Sequence, residues 1–166
     1  MTATPPNTVL SFQPASLDIF PEQTGELVVW LDDVTNVYGI DISIAFDPAN
    51  LVVVDANPAE PGIQIAPGGC PQPDSVLFNI VHNGSIAYAV TQLNPTPACN
   101  GGEVATIQFQ CLAPSTSSTI TWNKTLIADP DGFAISHSSM SAKINCVEET
   151  PGFFNFLPTI LNFPAP

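Results

Sequence analysis

The sequence predicts an all-β protein: a nine-stranded, two-sheet sandwich of jelly-roll type, followed by an apolar C-terminal extension. Three observations predict it. Apolar and polar residues alternate with period two along most of the chain, and no long stretch shows a helical apolar period. Eighteen prolines and ten glycines cut that alternation into short runs. Hydrophobic residues make up 45% of the chain, enough to fill a core, while only 10% are charged.

The runs follow in order. "TVLSFQP" and "SLDIF" alternate, and "ELVVWLDDV" is rich in β-branched and aromatic residues. "GIDISIAFD" is the clearest strand. Ile40, Ile42, Ile44 and Phe46 point one way, and Asp41, Ser43, Ala45 and Asp47 the other. "LVVVDA", "SVLFNIVHN", "SIAYAVTQL", "EVATIQFQC", "TITWNKTLI" and "SAKINC" complete the series. Asp47-Pro48, Asn57-Pro58, Pro67-Gly68-Gly69, Asn94-Pro95, Gly101-Gly102 and Asp131-Gly132 mark turns between them. His82-Asn83-Gly84-Ser85 reads as a tight hairpin with positive φ at both central residues. Strands at this spacing indicate a sandwich, and 166 residues suit one domain. Residues 1–7 read as a flexible arm, 8–146 as the sandwich, and 147–166 as a linker and an apolar tail.

Cys70, Cys99, Cys111 and Cys146 are an even set with no CxxC spacing, so two disulfides are expected in place of a zinc site. The hairpin from "VLFNIVHN" to "SIAYAVTQL" brings its two open ends together. Cys70–Cys99 is therefore the preferred pair among three connectivities, with Cys111–Cys146 following by elimination. Disulfides imply an oxidising, extracellular setting. The sequons at Asn83 and Asn123 are compatible with secretion as glycosylation acceptors. "MTATPPN" lacks the features of a secretory leader and reads as a start from which the targeting segment has gone. No apolar run is long enough for a transmembrane helix.

Two lysines and no arginine stand against 15 acidic residues, a net charge of -13. Such a chain repels phosphate backbones, so nucleic acid is excluded as a partner. Catalysis finds no support either. His82 and His137 lie in turn-like or Ser-rich contexts, and no Gly-x-Ser-x-Gly elbow is present. Asp32-Asp33 sits at a strand end, where one acidic pair among so many carries little weight. "DPDG", residues 129–132, lacks the ligand pattern and closing Glu of an EF-hand and reads as a β-turn. No cofactor or metal is expected, a loop-bound structural calcium being the one exception kept open.

The tail "GFFNFLPTILNF" carries no charge and offers Phe153, Phe154, Phe156, Leu157, Ile160, Leu161 and Phe163. Twelve residues as a helix cover roughly 18 Å, short of a bilayer core of about 30 Å. As an extended strand, eleven residues reach about 36 Å, enough to cross a sandwich. Its apolar side chains supply on the order of 10 kcal/mol when buried. The tail is therefore read as an assembly strand added to a neighbouring subunit, and packing against its own sandwich is the rival.

"LDDVTNVYGIDISIAFDPANLVVVDANP" resembles the cohesin family in its Val-rich strand, its Asn36-x-Tyr38-Gly39 turn, its alternating strand, Phe46-Asp47-Pro48 and Leu-Val-Val-Val. "IAYAVTQLNPTP", "GGEVATIQF" and "IADPDGFAI" match later strands and turns, so the likeness spans about residues 8–146. The resemblance implies a nine-stranded sandwich that binds a dockerin module on the outer face of one sheet. It places Asp41 at an acidic dockerin-contacting position, with Ser43 beside it by alternation. It also places Ala87, Ala89, Thr91 and Gln92 on or beside the same face. Those small residues make the face flat. Taken with the tail, the function expected is non-catalytic protein–protein contact outside the cell, by strand addition of the terminal segments to a neighbouring copy in a fibre or surface assembly, with a monomeric adaptor for a dockerin-like module as the alternative. Polysaccharide is a further alternative, with Trp30, Tyr38, Tyr88 and Trp122 as the rings for stacking on sugars.

Overall fold

The computed structural model describes residues 7–148. The rest of the expected N-terminal arm and all seven apolar tail residues, Phe153 to Phe163, lie outside the described residues.

The described chain forms strands β1 (Val9–Gln13), β2 (Ser16–Ile19), β3 (Thr24–Asp32), β4 (Gly39–Ala45), β5 (Leu51–Val54), β6 (Ala66–Pro67), β7 (Ser75–His82), β8 (Ser85–Thr91), β9 (Gly102–Cys111), β10 (Thr116–Ala128), β11 (Ser138–Ser139) and β12 (Ala142–Cys146). One sheet runs β11-β1-β3-β9-β5, with β6 also on β9, and the other runs β2-β12-β10-β4-β8-β7. Twelve strands are described where nine were expected; β6 and β11 are two residues long, and β1 and β2 lie on either side of Pro14 in different sheets. Pro14 makes the change of sheet. It has no N–H for a ladder, so β1 ends its pairing with β3 and β2 restarts beside β12.

Alternation decides what lies between the layers. Leu10, Leu27, Val29, Leu31, Ile107 and Phe109 come from the first sheet. Ile40, Ile42, Ile44, Ile86, Val90, Ile120 and Ile144 come from the second, and all are buried. Each such side chain stabilises the fold by about 1.5–3 kcal/mol as an upper estimate. Gly68 is required for a close approach, because a Cβ there would lie 2.3 Å from the Glu103 carbonyl oxygen.

Both bridges form in the preferred pairing, with Cα–Cα distances of 5.6 Å for Cys70–Cys99 and 5.7 Å for Cys111–Cys146. Cys111 closes β9 and Cys146 closes β12, so that bridge ties one sheet to the other at one end of the sandwich. Cys70–Cys99 ties loops at the opposite end, where Cys99 bonds Val37 just before β4. The β7–β8 hairpin closes on His82 opposite Ser85, as expected. Its turn differs from the expectation in one respect. Only Gly84 has positive φ, at 84°, and Asn83 does not. Gly84 alone supplies the left-handed residue that the turn needs.

Tyr88 is 1% exposed, and its hydroxyl has no hydrogen-bond partner among the described residues. Burial raises its phenol well above the ordinary value of 10. The folded state thus keeps a proton that the unfolded chain releases, so stability is level below pH 10 and falls above it. Tyr88→Phe removes an unsatisfied buried hydroxyl. It is expected to raise the unfolding free energy by about 1 kcal/mol and to flatten the alkaline decline, both read by denaturant titration across pH.

Candidate partner-binding surface

The outward rows of β10, β4, β8 and β7 build one continuous face. Across the β4–β8 pair, Gly39 faces Thr91, Asp41 faces Ala89, Ser43 faces Ala87 and Ala45 faces Ser85. On the other side of β4, Leu126 lies beside Asp41 and Lys124 beside Ser43. Beyond β8, Phe78 lies beside Ala89 and Ile80 beside Ala87. Small residues in the two central strands keep the middle flat, while larger apolar residues stand along both margins.

Those margins are exposed. Phe78 is 57%, Leu126 42% and Ile80 37% exposed, with Leu77 at 59%. Leu77 and Phe78 both point away from the core because a β-bulge between Val76 and Phe78 shifts the register. Asp41, Ala89, Phe78 and Leu126 line a shallow cleft of about 190 Å³ at the centre of the face. Asp41 is held there by an ion pair with Lys124, one of only two lysines in the chain. The pair cancels charge within an apolar surround. It contributes at most about 1 kcal/mol to stability, being open to solvent.

Asp41, Ser43, Ala87, Ala89 and Thr91 all belong to this outward row. Ala89 is itself 4% exposed and forms the floor of the cleft. Thr91 turns its hydroxyl back to the Tyr38 and Gln92 carbonyls. Gln92 is a correction: it is 1% exposed and does not reach the face. It shares the inward parity of Tyr88 and Val90. Its Oε1 accepts from the Gln72 N–H and its Nε2 donates to the Pro97 carbonyl, so it knits two loops together. Gln92→Ala is therefore expected to cost about 1–3 kcal/mol in thermal or chemical unfolding and to leave partner affinity unchanged.

Phe78, Ile80, Leu126 and Lys124 were not among the residues that the sequence pointed to. The available signal was "SVLFNIVHN", which is apolar at both parities where a strand with one wet face is apolar at one.

Other candidate sites fall differently. Asn83 and Asn123 are both exposed. The Asp129 carboxylate accepts the Asp131 and Phe133 N–H groups, so "DPDG" is a turn closed by its own side chain. Among the described residues no three His, Cys, Asp or Glu side chains gather as metal ligands. Trp122 stacks on Phe12 at 4.3 Å between ring centroids, Trp30 donates to Asp32, and Tyr88 is in the core. No helix among the described residues is long and apolar enough to cross a membrane.

Two mixed sheets stacked over one core, with a flat face on four strands of one of them, define a β-sandwich. The model of the cohesin domain matches residues 20–145, and the chain belongs to that family. Solved structures agree on the fold. CaCohA2 from Clostridium acetobutylicum is similar at 20% identity, over 84% of this chain and 90% of that one, with a TM-score of 0.68. The non-cellulosomal cohesin from the hyperthermophilic archaeon Archaeoglobus fulgidus is similar at 16% identity, over 84% and 91%, with a TM-score of 0.65. The Coh-OlpA–Doc918 complex, a type I cohesin–dockerin complex from Clostridium thermocellum, is similar at 16% identity, over 84% and 99%, with a TM-score of 0.68. No curated protein matches the chain.

Proposed function

We propose that this cohesin domain docks a dockerin-like protein module on the outer face of β10-β4-β8-β7 and performs no catalysis. The observation that carries the reading is the arrangement of that face. Phe78, Ile80 and Leu126 stand exposed around a small-residue floor, with one charge pair, Asp41–Lys124, set among them. Exposed apolar side chains that surround a neutralised polar pair form the pattern of an interface centre. Solved relatives in complex with dockerins support the choice of partner. The two disulfides support an oxidising, extracellular setting. Glycans on Asn83 and Asn123 belong to the same reading, and one on Asn123 would stand next to Lys124 at the edge of the face. Titration calorimetry against a panel of dockerin modules tests it. Saturable one-to-one binding that is lost when Phe78 is replaced supports the reading, and binding indifferent to that replacement removes it.

A second reading is self-assembly, in which Phe153, Phe154, Phe156, Leu157, Ile160, Leu161 and Phe163 add a strand to a neighbouring copy. One observation favours it: among the described residues β5 pairs with β9 on one side only, which leaves its other edge for an added strand. Light scattering of the full chain tests it, because this reading requires large particles or fibres and a monomer removes it. Polysaccharide binding has less support, since Tyr88 is buried and Trp122 is stacked against Phe12.

A further inference from the structure

We propose that residues 149–163 dock on the sandwich of their own chain, as a strand along the free edge of β5 whose Phe side chains fill the cleft between the sheets. This competes with the exchange reading just given, because both claim the same edge, and it does not depend on dockerin binding at the other face.

The acceptor is a cleft of about 230 Å³ lined by Leu51, Val52, Val53, Ile63, Val81 and Leu112. It opens between β5, the last strand of one sheet, and β7, the last strand of the other. Leu112 stands at its mouth, 57% exposed among the described residues. An apolar cleft beside an unpaired strand edge suits an apolar strand, since the ladder satisfies the peptide groups and the cleft takes alternate side chains.

The described chain ends at the entrance. Cys146 is bridged to Cys111 with 5.7 Å between Cα atoms, and Cys111 is the residue opposite Leu51 at the start of β5. Val147 and Leu112 line an adjoining cleft of about 210 Å³, so Leu112 belongs to both. A segment tethered this close meets its own acceptor at a far higher effective concentration than any neighbour's.

Direction and sequence fit as well. β12 runs toward this end and β5 runs away from it, so a strand along β5 requires a reversal after Glu148. Pro151-Gly152 are the residues that a type II turn takes at its two central positions. Phe154 and Phe156 then share one face, with Phe153, Asn155 and Leu157 on the other. Pro158 has no N–H for the ladder and ends the pairing after about the length of the four-residue β5.

Hydrogen–deuterium exchange of the full chain tests this, together with light scattering on the same samples. The expected result is a monomer whose amides at 153–157 and at Leu51–Val54 exchange slowly. Leu112→Glu and, separately, Phe154→Asp with Phe156→Asp are each expected to speed both segments at least tenfold while β3 and β4 stay protected. Tail amides that exchange at the rate of free chain in the unaltered protein overturn the proposal. Slow exchange in a dimer or larger particle also overturns it and supports strand exchange instead. Calorimetry with a dockerin module reads the other face independently, because none of these substitutions touches it.

Discussion

Replacing Phe78 and Leu126 together by Asp is expected to weaken partner binding by at least about 100-fold, because residues of this kind at an interface centre are each worth 2 kcal/mol or more. Both side chains are largely exposed in the free protein, so their loss creates no cavity. Stability should change by no more than about 0.5 kcal/mol each. What changes is desolvation: a partner that covers the cleft would have to strip water from two new carboxylates with no cation beside them other than Lys124, already paired with Asp41. Asp41→Ala is a milder change, with an expected loss of no more than about tenfold, since the pair sits partly in solvent. Calorimetric titration of the variants, with melting curves as the check on folding, separates the two classes. Equal affinity for the double variant and the unaltered chain would place the partner elsewhere.

Removing the Cys111–Cys146 bridge by Ala at both positions is expected to have the largest effect on stability, about 3–4 kcal/mol. The estimate follows from the 35 residues that the bridge closes in the unfolded chain. For a domain of this size the corresponding drop in Tm is roughly 10 °C. The bridge joins the last residue of β9 to the last residue of β12, so its loss frees the two sheets to part at that end. The proposed docking face is centred toward the other end, around Asp41 and Leu126, and partner affinity measured well below the melting range should stay within about threefold. A fall in affinity as large as that from Phe78→Asp would mean that the bridge shapes the face directly.

Much of this was legible in the sequence. The alternation of β4 fixed which way Asp41 and Ser43 point, and the two open ends of the β7–β8 hairpin brought Cys70 to Cys99. Gln92 shows where family placement outran local pattern. Its parity is that of Tyr88 and Val90, and it is buried with them. The apolar margins of the face were hidden for a physical reason. "VLFNI" is apolar at both parities, and only the bulge between Val76 and Phe78 decides that Leu77 and Phe78 both turn outward. A bulge is set by pairing with β8 and leaves no fixed mark in the strand that carries it. The split of the first strand was readable at Pro14, but the parallel pairing of β2 with β12 joins residues more than a hundred positions apart and has no local signal. The Asn-Gly turn was placed correctly, but only Gly84 has the positive φ that was expected of both residues.

Docking of a partner on the flat face of β10, β4, β8 and β7 is the central proposal. Amide protection of the chain with and without a saturating dockerin module tests it most directly. New protection is expected in Gly39–Ala45, Ser75–His82 and Ser85–Thr91, with the sheet of β1, β3 and β9 unchanged. New protection confined to β1, β3 and β9, with that face as open in the complex as in the free chain, would contradict it.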